Sequence, residues 1–237
     1  MKKTLLFLLV FSLYLLPSLS SRAQLYVGLH GGTTLPTGFY ADSKLSDGEW
    51  MLDGSHQRKV GAGTGFTAGL DVAYAMPFFN DLSVVLVGEF MQSEPNKEVK
   101  KWHENHADEG EYTLPKYRNI PILLGLRYSY PIGKYYDLYG EALAGVNLRM
   151  ITPYIKGDRT FTYDNATTFS FRVSAGFVIR DMVSIGAGFT SLGKAVLSGN
   201  YGYSDTKYNI MNPTMVTVTL GFRINVLKGL TRNVQDY

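Results

Sequence analysis

The stretch Thr168–Arg180, TFSFRVSAGFVIR, decides how the chain is read. Phe169, Phe171, Val173, Ala175, Phe177 and Ile179 occupy every second position. Ser170, Arg172, Ser174 and Gly176 occupy four of the five positions between them. A period of two places one set on each face of a β-strand, whereas a helix would repeat near 3.6. One face is wholly apolar and the other is polar or small, so the strand separates two very different environments.

Seven more segments carry the same alternation. Gln24–Thr34 sets Leu25, Val27 and Leu29 on one face, and Gly61–Ala75 sets Phe66, Ala68, Leu70, Val72 and Tyr74. Asp81–Gln92, Tyr117–Tyr130 and Tyr136–Met150 follow. Met182–Leu192 and Pro213–Asn225 complete the set. Strands of this length match the roughly 9–11 residues that a tilted strand needs to cross a bilayer. Pro121 falls inside the fourth segment, where a missing N–H predicts a bulge or a strand end.

The connections alternate strictly. Met76–Asn80, Pro131–Tyr135 and the Arg180-Asp181 junction are short, whereas Leu35–Val60, Ser93–Lys116, Ile151–Thr167 and Gly193–Asn212 are long and polar. Phe78, Phe79, Tyr128, Tyr130, Tyr135 and Tyr136 cluster beside the short turns, where an interfacial girdle belongs. Together these predict an all-β, eight-stranded antiparallel up-and-down transmembrane β-barrel over residues 24–225, integral to a Gram-negative outer membrane. The first and eighth strands then pair to close it, because an unpaired edge in lipid costs several kcal/mol per group. A soluble lipocalin-like barrel is the rival, and it assigns opposite faces to the same residues.

Residues 1–23 read as a cleaved signal peptide. Lys2 and Lys3 precede an apolar run, and Ser21 and Ala23 fit the small-residue rule, so cleavage falls between Ala23 and Gln24. The leader carries off Lys2, Lys3 and Arg22, and the remainder is close to neutral although the whole chain has a net charge of +3. A nucleic-acid partner is therefore not expected. The chain has no cysteine, which excludes a lipoprotein, disulfides and thiolate metal sites. Residues 226–237 read as a short periplasmic tail, too short for a peptidoglycan-binding domain.

If the apolar face meets lipid, the other face lines the lumen. It then carries a charge network of Asp71, Glu89, Arg127, Glu141, Arg149, Arg172 and Arg223. Strand direction puts Asp71, Arg127, Glu141 and Arg223 toward the periplasmic half and the other three toward the outer half. Arg127 and Glu141 lie at similar height on neighbouring strands and predict a cross-strand ion pair. An eight-stranded barrel is only wide enough for its own side chains, so a packed polar plug is expected rather than an open pore. His30 is expected to face the lumen alone, as a hydrogen-bonded lining residue.

The loops offer less chemistry. Phe39, Tyr40 and Trp50 are candidate recognition residues in the first long loop, or they fold back on the barrel mouth. His103, Glu104, His106, Asp108 and Glu109 lie close together, yet their spacing is not that of a zinc helix, and a solvated charged loop is expected. A lipid-modifying enzyme would need a histidine with a serine or acid at the lipid boundary, and only His103 or His106 with Ser93 offer that. No nucleophile constellation, phosphate loop, metal framework or cofactor site is expected.

The segment from Asn119 to Tyr128, NIPILLGLRY, resembles the IPLLLKY strand of the outer-membrane β-barrel domain family, often labelled PorT-family or porin-like. YGEALAG at Tyr139–Gly145 and FRVSAG at Phe171–Gly176 resemble its next two strands, and the Ala23-Gln24 junction resembles its leaders. Gly125 stands where that family often has a charged residue. The resemblance implies an integral outer-membrane barrel, broadly similar to OmpX and OmpA barrels, in a family most of whose members have no assigned activity.

The expectation is a non-enzymatic barrel that works by surface interaction or envelope integrity through its long outer loops. Alternatives are a narrow pore for ions or small solutes and an accessory subunit of a secretion system. Expected partners are outer-membrane lipid and lipopolysaccharide, the barrel-insertion machinery during biogenesis, and an unidentified envelope or surface protein.

Overall fold

The computed structural model describes residues 24–42, 61–76, 79, 81–105, 112–157, 159–201, 204–210 and 213–226. In chain order the elements begin with β1 (Gln24–Thr37), β2 (Ala62–Ala75) and β3 (Leu82–Pro95). Helix α1 (Lys97–Asn105) and strands β4 (Tyr112–Thr113), β5 (Tyr117–Pro131) and β6 (Tyr136–Ile151) follow. Then come β7 (Tyr154–Lys156), β8 (Arg159–Tyr163), β9 (Ala166–Ile179) and β10 (Val183–Ser191). β11 (Ala195–Tyr201), β12 (Ser204–Ile210) and β13 (Thr214–Asn225) end the series.

Eight of these strands close a barrel in the order β1-β13-β10-β9-β6-β5-β3-β2. Closure joins the first and last strands antiparallel, with Val27 opposite Ile224 and Leu35 opposite Val216. Gln24 is the first residue of β1 and sits opposite Ala75, while Ala23 and the rest of the leader lie outside the described residues, as does 227–237 of the tail.

The two faces of the wall separate the membrane barrel from the lipocalin rival. Leu29, Leu70, Leu124, Val173 and Leu220 point outward and are 55–61% exposed. Arg127, Arg172, Arg223, Asp71 and Glu89 point inward and are buried. Each exposed aliphatic side chain forgoes about 1.5–3 kcal/mol in water. A continuous apolar exterior around a charged interior is stable only in lipid, and the protein is an integral β-barrel of the outer membrane. Tyr128, Tyr130, Tyr135, Tyr136 and Phe79 stand exposed near the short-turn end and form one interfacial girdle. Phe78 lies outside the described residues.

The tightest turn joins β9 to β10. Arg180 and Asp181 both adopt left-handed backbone, φ 51° and 58°, and Met182 N–H donates to Ile179 O at 3.1 Å. Two left-handed residues in succession match the twist of the flanking strands.

Two expectations need correction, and a third feature was not foreseen. Pro121 causes neither a bulge nor a strand end: it sits inside β5, opposite Asn147 of β6. The β3–β5 ladder skips Glu89 and Phe90 opposite Pro121 and Ile120, then resumes in the same register. The barrel absorbs the missing donor as a local gap. Secondly, the lumen is not polar throughout. Ala73, Val85, Val87, Leu123 and Leu143 pack together inside it, with Tyr26 against them. They occupy the same inward parity as the charged positions, so the strand pattern does contain them. Thirdly, the long loops carry regular structure: β12-β11-β8-β7-β4 form a second, five-stranded sheet at the loop end. β4 joins β7, and β8 joins β11, so the second, third and fourth long connections are hydrogen-bonded together.

Candidate functional site: the charged lumen and its cap

Alternation on six strands brings the inward titratable groups to one level of the barrel. Arg172 on β9 meets Glu89 on β3 fork to fork: Nη1 donates to Oε1 at 2.7 Å, Nη2 donates to Oε2, and Nε donates to Thr190 Oγ1 at 3.0 Å. His30 on β1 lies 2.6 Å from the same carboxylate through Nε2 and 3.5 Å from Asp71 through Nδ1. It is thus a hydrogen-bonded lining residue, as expected, but it does not stand alone. Arg127 on β5 reaches Asp71 at 3.5 Å and Glu141 of β6 at 2.8 Å. Ser174 Oγ donates to the other oxygen of Glu141, and Arg127 lies 5.0 Å over the Tyr139 ring.

The result is one continuous chain, Thr190–Arg172–Glu89–His30–Asp71–Arg127–Glu141–Ser174. Three carboxylates face two guanidiniums, with the His30 ring set between two of the carboxylates. Buried charges are tolerated when paired and hydrogen-bonded in this way. The space left between these groups is a cavity of about 40 Å³, the size of a water molecule or two.

A second layer lies toward the loops. Asn147 Nδ2 donates to Asn119 Oδ1 at 3.0 Å, and Arg149 donates to the carbonyls of Leu192 and Gly193 at 3.3 and 3.1 Å. Unlike Arg127, Arg172 and Arg223, Arg149 has no carboxylate within 4 Å among the described residues. Its Nη1 has no hydrogen-bond partner among them. Arg223 lies at the turn end, 3.3 Å from Asp181 and 4.6 Å over the Tyr26 ring. The seven lumen positions named from the sequence are thus split: Asp71, Glu89, Arg127, Glu141 and Arg172 are brought together, whereas Arg149 and Arg223 stand apart at opposite ends. His30, Asn119 and Asn147 belong to the same interior, and their inward parity was the available signal.

Above both layers an apolar cap closes the mouth. Tyr40, Ala62, Met91, Val99, Tyr117, Ile151, Tyr154, Leu192 and Met215 form one buried cluster. Tyr40 is 4% exposed and meets Tyr117 edge to face at 5.9 Å, so this candidate recognition residue folds back on the barrel. Phe39 shares its 3-10 turn, Gly38–Tyr40, and Trp50 lies outside the described residues. His103 departs from the expected solvated loop. It is buried on α1, with Nδ1 2.9 Å from Val99 O and the ring between Tyr112 and Tyr154. Ser93 is buried too, so neither member of that candidate pair reaches the lipid boundary. Glu104 is exposed on α1, while His106, Asp108 and Glu109 lie outside the described residues.

No family model matches the chain. No curated protein matches it either. Among solved structures it is similar to a major outer membrane protein from Thermus thermophilus, at 12% identity and a TM-score of 0.49, covering 85% of this chain and 99% of that one. It is also similar to the outer membrane protein OprG from Pseudomonas aeruginosa, at 15% identity and a TM-score of 0.47, over 84% and 95% of the two chains. The outer membrane enzyme PagL aligns at 13% identity and a TM-score of 0.38, over 84% and 98%. Likenesses this distant carry no activity across.

Proposed function

We propose that this barrel is a non-enzymatic surface protein whose work is done by the sheet and helix at its loop end, in surface interaction or in envelope integrity. The observation that supports this reading is the closure of the lumen. The Arg172–Glu89 layer, the Asn119–Arg149 layer and the apolar cap lie in series, and the polar centre holds only about 40 Å³. A hydrated ion needs a continuous aqueous path, and these layers oppose one. The burial of Ser93 and His103 likewise speaks against a lipid-modifying site at the rim. Placement in the PorT-like family is carried by the sequence motifs at Asn119–Tyr128, Tyr139–Gly145 and Phe171–Gly176 and the Ala23-Gln24 junction, and a secretion partner has no structural feature in its favour among the described residues.

Planar-bilayer conductance of the refolded chain tests this function. Electrical silence from a sample that shows heat-modifiable gel mobility is the expected result. Steady, reproducible conductance steps would transfer the function to permeation by the charged lumen.

A further inference from the structure

The outer sheet repeats the order of the wall beneath it. β12-β11-β8-β7-β4 lie side by side, and each is joined through two or three residues to its counterpart in the barrel run β13-β10-β9-β6-β5. β1, β2 and β3 carry no strand of this sheet among the described residues. The sheet therefore continues five of the eight wall strands outward and ends in two edges. β4 forms one edge and is only two residues long. β12 forms the other, with seven residues, Ser204–Ile210, each paired to β11. Among the described residues β12 has no second neighbour, so every other residue along it turns a backbone N–H and C=O to an open side.

Such an edge is a template for another strand. Its sequence, SDTKYNI, selects the strand that fits. Antiparallel pairing of two identical strands about a two-fold axis sets one residue opposite itself at the centre and mirrors the rest. Centred on Asp205 or on Lys207, the pair sets like charges face to face, which is destabilising. Centred on Thr206, it sets Asp205 opposite Lys207 twice, Ser204 opposite Tyr208 twice and threonine opposite threonine. One register is thus favoured and its two neighbours are penalised. The edge is complementary to itself.

Direction decides where the second copy stands. β12 leads through three residues into β13, which runs from the loop end to the turn end, so Ser204 is the distal end of β12 and Ile210 the end nearer the membrane. Two copies in one membrane present β12 in the same direction and do not pair antiparallel. Two copies in facing membranes do.

We propose that β12 is a homophilic contact, pairing with β12 of a second copy of this chain in an opposing membrane, in the register centred on Thr206. This rests on the reading of the barrel as a surface-interaction protein, and it names the partner. A short strand overlap is a weak bond taken singly, so the contact works through the many copies that two facing membranes present at once.

The test uses the full refolded chain in proteoliposomes of neutral phospholipid, with two vesicle populations carrying different dyes. Turbidity and dye co-localisation follow their clustering. Wild-type vesicles are expected to cluster. Asp205→Lys sets like positive charges opposite each other, and Lys207→Asp sets like negative charges opposite each other. Vesicles carrying either variant alone therefore cluster at least about tenfold more slowly. Mixing the two variant populations restores clustering, with both dyes in every cluster, because the altered strands then face each other with opposite charge. Lys134→Gln at the opposite rim leaves clustering unchanged. Heat-modifiable gel mobility confirms that each variant is a folded barrel, and bilayer conductance tests the closed-lumen reading separately. Wild-type vesicles that stay dispersed, clustering that survives either single substitution, or mixed variant populations that remain apart would each overturn the proposal.

Discussion

Arg172 and Glu89 grip each other across the lumen from strands that are not neighbours, β9 and β3, separated in the wall by β6 and β5. The pair therefore acts as a strut inside the barrel rather than a rung within the sheet. Glu89→Gln leaves a buried guanidinium without its carboxylate and costs about 3–5 kcal/mol. Replacing both residues with apolar groups of similar volume costs much less. Urea unfolding followed by gel mobility over the four members of a double-mutant cycle measures this; additive losses would show that the two side chains act independently.

Arg149 behaves in the opposite way. It is buried without a carboxylate among the described residues, so Arg149→Met removes a charge that they leave uncompensated together with hydrogen bonds to two carbonyls. The expected change in stability is within about 1 kcal/mol in either direction, against several for Arg172→Met. Parallel urea titrations of the two variants give the comparison, and equal losses would mean that Arg149 is as firmly compensated as Arg172.

The turn between β9 and β10 predicts two effects of unlike sign. Arg180 holds a left-handed backbone that asparagine adopts readily, so Arg180→Asn stabilises by up to about 1 kcal/mol. Asp181→Gly relaxes the same backbone but removes the carboxylate beside buried Arg223, and its net effect is destabilising. The midpoints of urea unfolding order the three proteins, and a stabilised Asp181→Gly would show that the Arg223 contact is dispensable.

Closure in series predicts a threshold for conduction. Tyr40→Ala with Tyr117→Ala opens the cap, yet the Arg172–Glu89 layer beneath still blocks the path, so bilayers remain silent. Steps emerge only when Asn119→Ala, Arg149→Ala, Glu89→Ala and Arg172→Ala are added, so that all three layers are open. Conductance from the cap variant alone would place the barrier in the cap.

A charged residue at position 125, frequent in the family that Asn119–Tyr128 resembles, does not fit here. A Cβ on Gly125 would stand 2.1 Å from Ala142 O on the adjacent strand. Gly125→Lys therefore forces β5 and β6 apart, and the expected readout is loss of the heat-modifiable band in a refolding assay. A normal band would mean that the two strands can shift to admit the side chain.

The barrel was legible because lipid enforces a strict rule. Every second residue from Phe169 to Ile179 must be apolar, and one strand pattern then predicts its neighbour. The lumen was half legible. Parity identified Arg127 opposite Glu141, a contact made in the neighbouring strand, but Arg172 and Glu89 meet across space that no local pattern encodes. The cap was legible only as one of two alternatives for Tyr40, and the burial of His103 was not foreseen. Tyr40 and His103 sit in polar segments, and only their nonlocal neighbours Tyr117 and Tyr154 bury them. The outer sheet was hidden for the same reason: β4 and β7 are two and three residues long, and their pairing is set by the barrel that brings their loops together.

That outer sheet has an immunological consequence. Tyr163, Thr162 and Phe161 find their strand partners in Gly199, Asn200 and Tyr201, contributed by a different hairpin. An antibody that recognises the native surface reads a discontinuous epitope, and a synthetic peptide copying either hairpin alone lacks half of it.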